Sequence, residues 1–87
     1  MTWNVILSKK AVKDTKKLKS AGLKSETERL LNILKINPFK TPPRYEKLVG
    51  NLQGFYSRRI NIQHRVVYQI YEKEHIVKII RMWTHYE

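Results

Sequence analysis

The sequence predicts an α+β domain: two N-terminal helices packed on one face of a mainly antiparallel sheet of four to five strands. Three observations lead there. Helical spacing of apolar residues is confined to the stretch before Pro38. A proline-bearing connector follows, with Pro42 and Pro43. Beyond it, apolar and polar residues alternate at strand spacing, broken by short polar turns. Helices gathered first and strands gathered last imply segregated layers sharing one core.

Each element has its own signal. Trp3-Asn4-Val5-Ile6-Leu7 reads as a short opening strand, and Ser8 is placed to cap the helix after it. Lys9 to Ser20 is expected to be helical, with Val12, Thr15 and Leu18 as a narrow inward stripe and lysines elsewhere. Gly22 ends it. Ser25 with Glu28 three residues later reads as a capping box opening a second helix. Leu30, Leu31, Ile33 and Leu34 form the buried face of that helix, and Pro38 stops it after Asn37. The short link between the helices suggests an antiparallel hairpin. Residues 37–45 form an extended connector, and strands are expected over Glu46–Val49, Phe55–Ile60, Arg65–Tyr71 and His75–Trp83.

Alternation along these strands assigns faces. Even positions Ile60, Val66, Tyr68, Ile70, Ile76, Ile80 and Met82 are expected under the helices. Odd positions Ser57, Arg59, Arg65 and Arg81, with His85 just past the last strand, are expected on the opposite face. That face is biased towards arginine and carries no carboxylate among those positions. A single bulge would invert the assignment.

Length and composition narrow the function classes. Eighty-seven residues suit one domain, 1–87, with a modest core. The absence of cysteine removes disulfides, thiolate nucleophiles and thiolate zinc sites. No run of apolar residues is long enough to span a membrane or to resemble a secretory signal, so a cytoplasmic chain is expected. The net charge of +11 calls for a polyanionic partner. It is unevenly built: residues 1–24 hold seven lysines against one aspartate, whereas residues 51–87 hold four arginines. Lysine supplies a hydrated point charge, while the arginine fork matches two phosphate oxygens at once.

An arginine-lined face suits RNA chemistry that needs no metal. RNA brings its own nucleophile, the 2′-hydroxyl, so a protein must supply a general base, a cation cluster and a general acid. Glu46, the pair Arg59 and Arg65, and His85 are of those types. Other chemistries fit poorly. His64, His75 and His85 match no local metal-ligand spacing, and no cofactor is expected. Gly50 and Gly54 make no phosphate loop, and Asp14, the only aspartate, lies in the lysine-rich helix, away from any serine–histidine pair. That helix has too thin an apolar stripe, without Trp or Phe, to be a membrane-surface anchor. Tyr56, Tyr68, Tyr71 and Trp83 are expected to pack on the sheet, whereas Tyr86, beside His85, could stack on a base.

Glu46-Lys47-Leu48, Asn51 through Ile60, His64-Arg65-Val66-Val67-Tyr68 and the terminal His85-Tyr86 together resemble the YoeB/Txe toxins of the RelE/ParE toxin–antitoxin superfamily. Ser57-Arg58-Arg59-Ile60, three residues, His64-Arg65, then Val67-Tyr68 is the most specific part. The resemblance implies a RelE-like fold and a ribosome-dependent mRNA endonuclease restrained by a YefM-like antitoxin. It implies Glu46 as general base, His85 as general acid, Arg65 as the transition-state cation, Arg59 on phosphate, and Tyr86 orienting or stacking on substrate. It further implies that the lysine-rich helix docks on ribosomal RNA through backbone electrostatics, and it allows a homodimer.

Two departures stand out. The family's lysine three residues after the glutamate is replaced by Val49; Lys47 is the substitute substrate-binding residue, although a regular strand turns it to the other face. Glu87 follows Tyr86, placing a carboxylate beside the proposed acid. Two other functions are compatible with the same fold: a ParE-like gyrase inhibitor, and a non-catalytic RNA-binding regulator. Neither needs Glu46 and His85 together.

Overall fold

Ser8 joins the first strand to the first helix and to the far end of the chain. In the computed structural model, which describes residues 2–41, 44–50, 54–61 and 63–82, its Oγ accepts the Ala11 N–H at 3.1 Å and donates to the Ile80 carbonyl at 2.8 Å. It thereby caps the helix that follows. The elements are β1 (Asn4–Leu7), α1 (Lys9–Ser20), α2 (Lys24–Ile36), β2 (Tyr45–Lys47), β3 (Phe55–Arg59), β4 (Arg65–Tyr71) and β5 (Ile76–Arg81). The strands form one five-stranded sheet in the order β1-β5-β4-β3-β2. All neighbours are antiparallel except β1, which pairs parallel with β5. The expected α+β architecture is the observed one.

The helices cover one face of the sheet. Ala11 and Leu18 of α1 and Leu30 and Leu34 of α2 pack with Val66, Tyr68, Val77, Ile79 and Met82, all at most 4% exposed. Two local expectations fail. The inward stripe of α1 is Ala11, Asp14 and Leu18, while Val12 is 46% exposed. The capping box of Ser25 and Glu28 does not form: α2 starts two residues earlier than Ser25 as cap would set it, after Leu23, without a side-chain cap. Its first turn is tied instead by Thr27, whose buried hydroxyl donates to the Leu23 carbonyl at 2.7 Å. Gly22, at φ +78°, supplies the left-handed residue that ends α1.

The assignment of faces fails in β5, for a specific reason. Tyr68 pairs with Ile79 and Val67 with Arg81, so Ile80 is an extra residue, a β-bulge. Before it the odd residues Val77 and Ile79 face the core, and after it Met82 does; Ile76 and Ile80, expected inside, are only half-buried. Side chains of the N-terminal segment take up the displaced backbone, Ser8 on the Ile80 carbonyl and Asp14 on the Met82 N–H. Elsewhere the alternation holds, with Val66 and Tyr68 inside as expected. Tyr56 stacks on Tyr68 at 5.8 Å between ring centroids. No helix among the described residues is long and apolar enough to cross a membrane.

Candidate active site

The face that the helices leave open gathers the charged residues of β2, β3 and β4. Glu46 lies directly across from Ser57, and Arg59 directly across from Arg65. The β3–β4 turn sets the second pair. Asn61 Oδ1 accepts the backbone N–H groups of Gln63 at 2.9 Å and His64 at 2.7 Å, and lies 3.0 Å from His64 Nδ1. An Asx turn of this kind fixes the hairpin end, and the Ile60 N–H closes it on the His64 carbonyl at 2.7 Å. The two arginines therefore sit as the last rung before the turn.

Two guanidinium-bearing residues facing each other across strands repel. Their arrangement favours an anion between or beside them. Within the chain that role falls to Glu46, whose Oε1 lies 3.8 Å from Arg65 Nη1, with the carboxylate side chain 52% and the guanidinium side chain 24% exposed. At that distance and exposure the ion pair is loose and worth at most about 1 kcal/mol. Arg65 is therefore free to exchange Glu46 for an external anion at little cost. Arg59 is exposed beside it.

Not every residue expected here is present. Lys47 pairs with Tyr56 and so lies on the opposite face from Glu46; Val49 is 83% exposed. Arg81, expected beside Arg59 and Arg65, is drawn to the helix layer: its Nε donates to Asp14 Oδ2 at 2.9 Å, which holds its guanidinium proton more firmly than usual. His85, Tyr86 and Trp83 lie outside the described residues. No group of three or more His, Cys, Asp or Glu among the described residues is arranged to hold a metal ion.

The structure adds Arg58, which sequence reasoning passed over in favour of Arg59. It is 1% exposed. Its Nε donates to the Tyr68 hydroxyl at 3.0 Å and its Nη2 to the Pro38 carbonyl at 2.7 Å, and its guanidinium lies 5.0 Å from the Tyr45 ring centroid. Burial raises the Tyr68 phenol to about 12, with the Arg58 charge pulling the other way. Arg58 thus ties the connector after α2 to the sheet and packs on the residue before Glu46. The signal was available: in a strand, adjacent arginines point to opposite faces, so one of the two must face the helix layer.

Comparison with known proteins places the fold in a family. Residues 8–86 match the family described as the YoeB-like toxin of bacterial type II toxin–antitoxin systems. A curated toxin YoeB from Synechocystis is 38% identical over 58 residues, which span 67% of this chain but only 65% of the relative's own length. Among solved structures, a YoeB/ParE toxin from Agrobacterium tumefaciens superposes with a TM-score of 0.85 at 25% identity, covering 95% of this chain and 99% of that one. The toxin in a YoeB–YefM complex from Staphylococcus aureus does so with a TM-score of 0.80 at 32% identity, covering 97% and 98%. The helix pair and the mixed sheet are shared with solved toxins, and the chain belongs to the YoeB-like toxins of bacterial type II toxin–antitoxin systems.

Proposed function

We propose that this toxin is a ribosome-dependent endoribonuclease that cuts mRNA in the decoding site and so blocks translation. The observation that carries the reading is the loose Glu46–Arg65 pair with Arg59 opposite Arg65 on the open face. It sets a carboxylate base beside two cations, as attack by a 2′-hydroxyl on its own phosphate requires. Glu46 takes the 2′-hydroxyl proton, the 2′-oxygen bonds to phosphorus, and Arg65 and Arg59 hold the charge of the phosphorane. The bond to the 5′-oxygen then breaks as His85 donates its proton there, leaving a 2′,3′-cyclic phosphate and a 5′-hydroxyl. Tyr86 stacks on a base of the codon. No cofactor enters this sequence of steps, and DNA, without the 2′-hydroxyl, is not a substrate.

The exposed lysines of α1, among them Lys10, Lys13, Lys16 and Lys19, supply sequence-independent attraction to ribosomal RNA. A YefM-like antitoxin is the proposed inhibitory partner, as in the Staphylococcus aureus complex, and a segment bearing acidic side chains would meet the +11 charge. The test is primer extension on mRNA translated in a purified ribosomal system. Wild type should give a new cut inside a codon, only with ribosomes, and Glu46→Gln and His85→Gln should abolish it. Absence of a wild-type cut, or the same cut from both variants, would reject the mechanism and turn attention to DNA gyrase.

A further inference from the structure

Ser57 lies within this site without a function. It is 1% exposed, yet its Oγ has no hydrogen-bond partner among the described residues. Buried hydroxyls are normally paired, and an orphan costs about as much as a lost hydrogen bond. Its surroundings limit what could accept its proton. Across the strands it faces Val67 on β4 and Glu46 on β2. Along β3 on the same face its neighbours are Phe55 and Arg59. Valine and phenylalanine offer no acceptor, and a guanidinium only donates. The diagonal Gln69 already gives its Oε1 to the Tyr71 hydroxyl at 3.0 Å. Among the described side chains of this face, Glu46 is the acceptor directly opposite Ser57, and directly opposed side chains on an antiparallel pair are within reach of each other.

We propose that Ser57 is a positioning residue for Glu46: its hydroxyl donates to the Glu46 carboxylate once Arg65 has turned from that carboxylate to the substrate phosphate. This rests on Glu46 as general base. Arg65 cannot serve the carboxylate and a phosphate with the same fork, and their 3.8 Å separation shows how little holds them. When Arg65 leaves, Glu46 would lose its one ionic partner among the described residues and with it a fixed direction for accepting the 2′-hydroxyl proton. A Ser57 hydroxyl on one carboxylate oxygen fixes the group and leaves the other oxygen for that proton. Ser57 keeps its own proton throughout.

The test has two arms. In the ribosomal cleavage assay, Ser57→Ala should lower kcat about tenfold with KM unchanged, the scale of one hydrogen bond to a charged group. In thermal unfolding, Ser57→Ala should leave Tm unchanged or raise it in the wild-type background, because it removes an unpaired buried hydroxyl. In an Arg65→Ala background, where Glu46 is released to Ser57, the same change should lower Tm by about 4–8 °C. A wild-type kcat, a loss confined to KM, or equal Tm changes in both backgrounds would overturn the proposal. If wild type fails to cut RNA, the general-base reading falls by itself, and the melting comparison still decides whether Ser57 can hold Glu46.

Discussion

Asp14 and Arg81, 67 residues apart, meet through Asp14 Oδ2, which accepts the Arg81 Nε–H at 2.9 Å and also the Met82 backbone N–H at 3.1 Å. One buried carboxylate on α1 therefore fastens the bulged end of β5 to the helix layer. The strand end it fastens leads into the segment that carries His85 and Tyr86.

Asp14→Ala should therefore cost stability out of proportion to its size. It leaves the Met82 N–H without its acceptor and releases Arg81 from a charged hydrogen bond, together about 2 kcal/mol. In a domain of this length that is a fall in Tm of roughly 8–16 °C. Asp14→Asn, which keeps an oxygen in place, should fall by less; equal losses would show that the fastening is not made by hydrogen bonds.

The neighbouring arginines of β3 should separate cleanly. Arg58→Ala removes a buried side chain and strands the Tyr68 hydroxyl and the Pro38 carbonyl, so a loss of about 3 kcal/mol or more is expected in urea unfolding. Arg59→Ala, on an exposed position, should change stability by no more than about 0.5 kcal/mol and should weaken RNA cleavage instead. Similar stability losses in both would contradict the assignment of faces.

Alkaline titration should reveal Tyr68. Its phenol ionises near 10 in an unfolded chain but is raised to about 12 here by burial. The folded state therefore holds its proton more tightly, so the contribution to stability is complete below pH 10 and is lost as pH rises towards 12. Urea unfolding followed over that interval should show stability falling with pH, and Tyr68→Phe should flatten the slope. An identical slope in the variant would assign the effect to other groups.

Arg65→Lys keeps the charge but not the planar fork. If Arg65 grips phosphate through two parallel hydrogen bonds, cleavage should fall by about tenfold or more. Near-normal activity would show that a point charge suffices.

How much of this was legible beforehand divides by distance along the chain. The helices, the connector and the order of strands follow from local spacing and from Gly22, Ser8 and Pro38, because dihedral preference and capping act over a few residues. Ser8 served as the cap expected of it, whereas Ser25 did not: a capping box competes with other first turns, and here Thr27 on the Leu23 carbonyl prevailed. Glu46, Arg59 and Arg65 could be proposed from residue type, alternation and resemblance, and the strand pairing brings those three to one face. His85 and Tyr86 stand on the sequence alone. Only the tertiary structure decided the rest. The bulge at Ile80 is a property of two strands in register and has no signature in one of them. The burial of Asp14 depends on a strand end 67 residues away. Arg58 and Arg59 are the same residue type in adjacent positions; burial against the connector after α2 makes one a structural tie, and exposure on the open face leaves the other available to an anion.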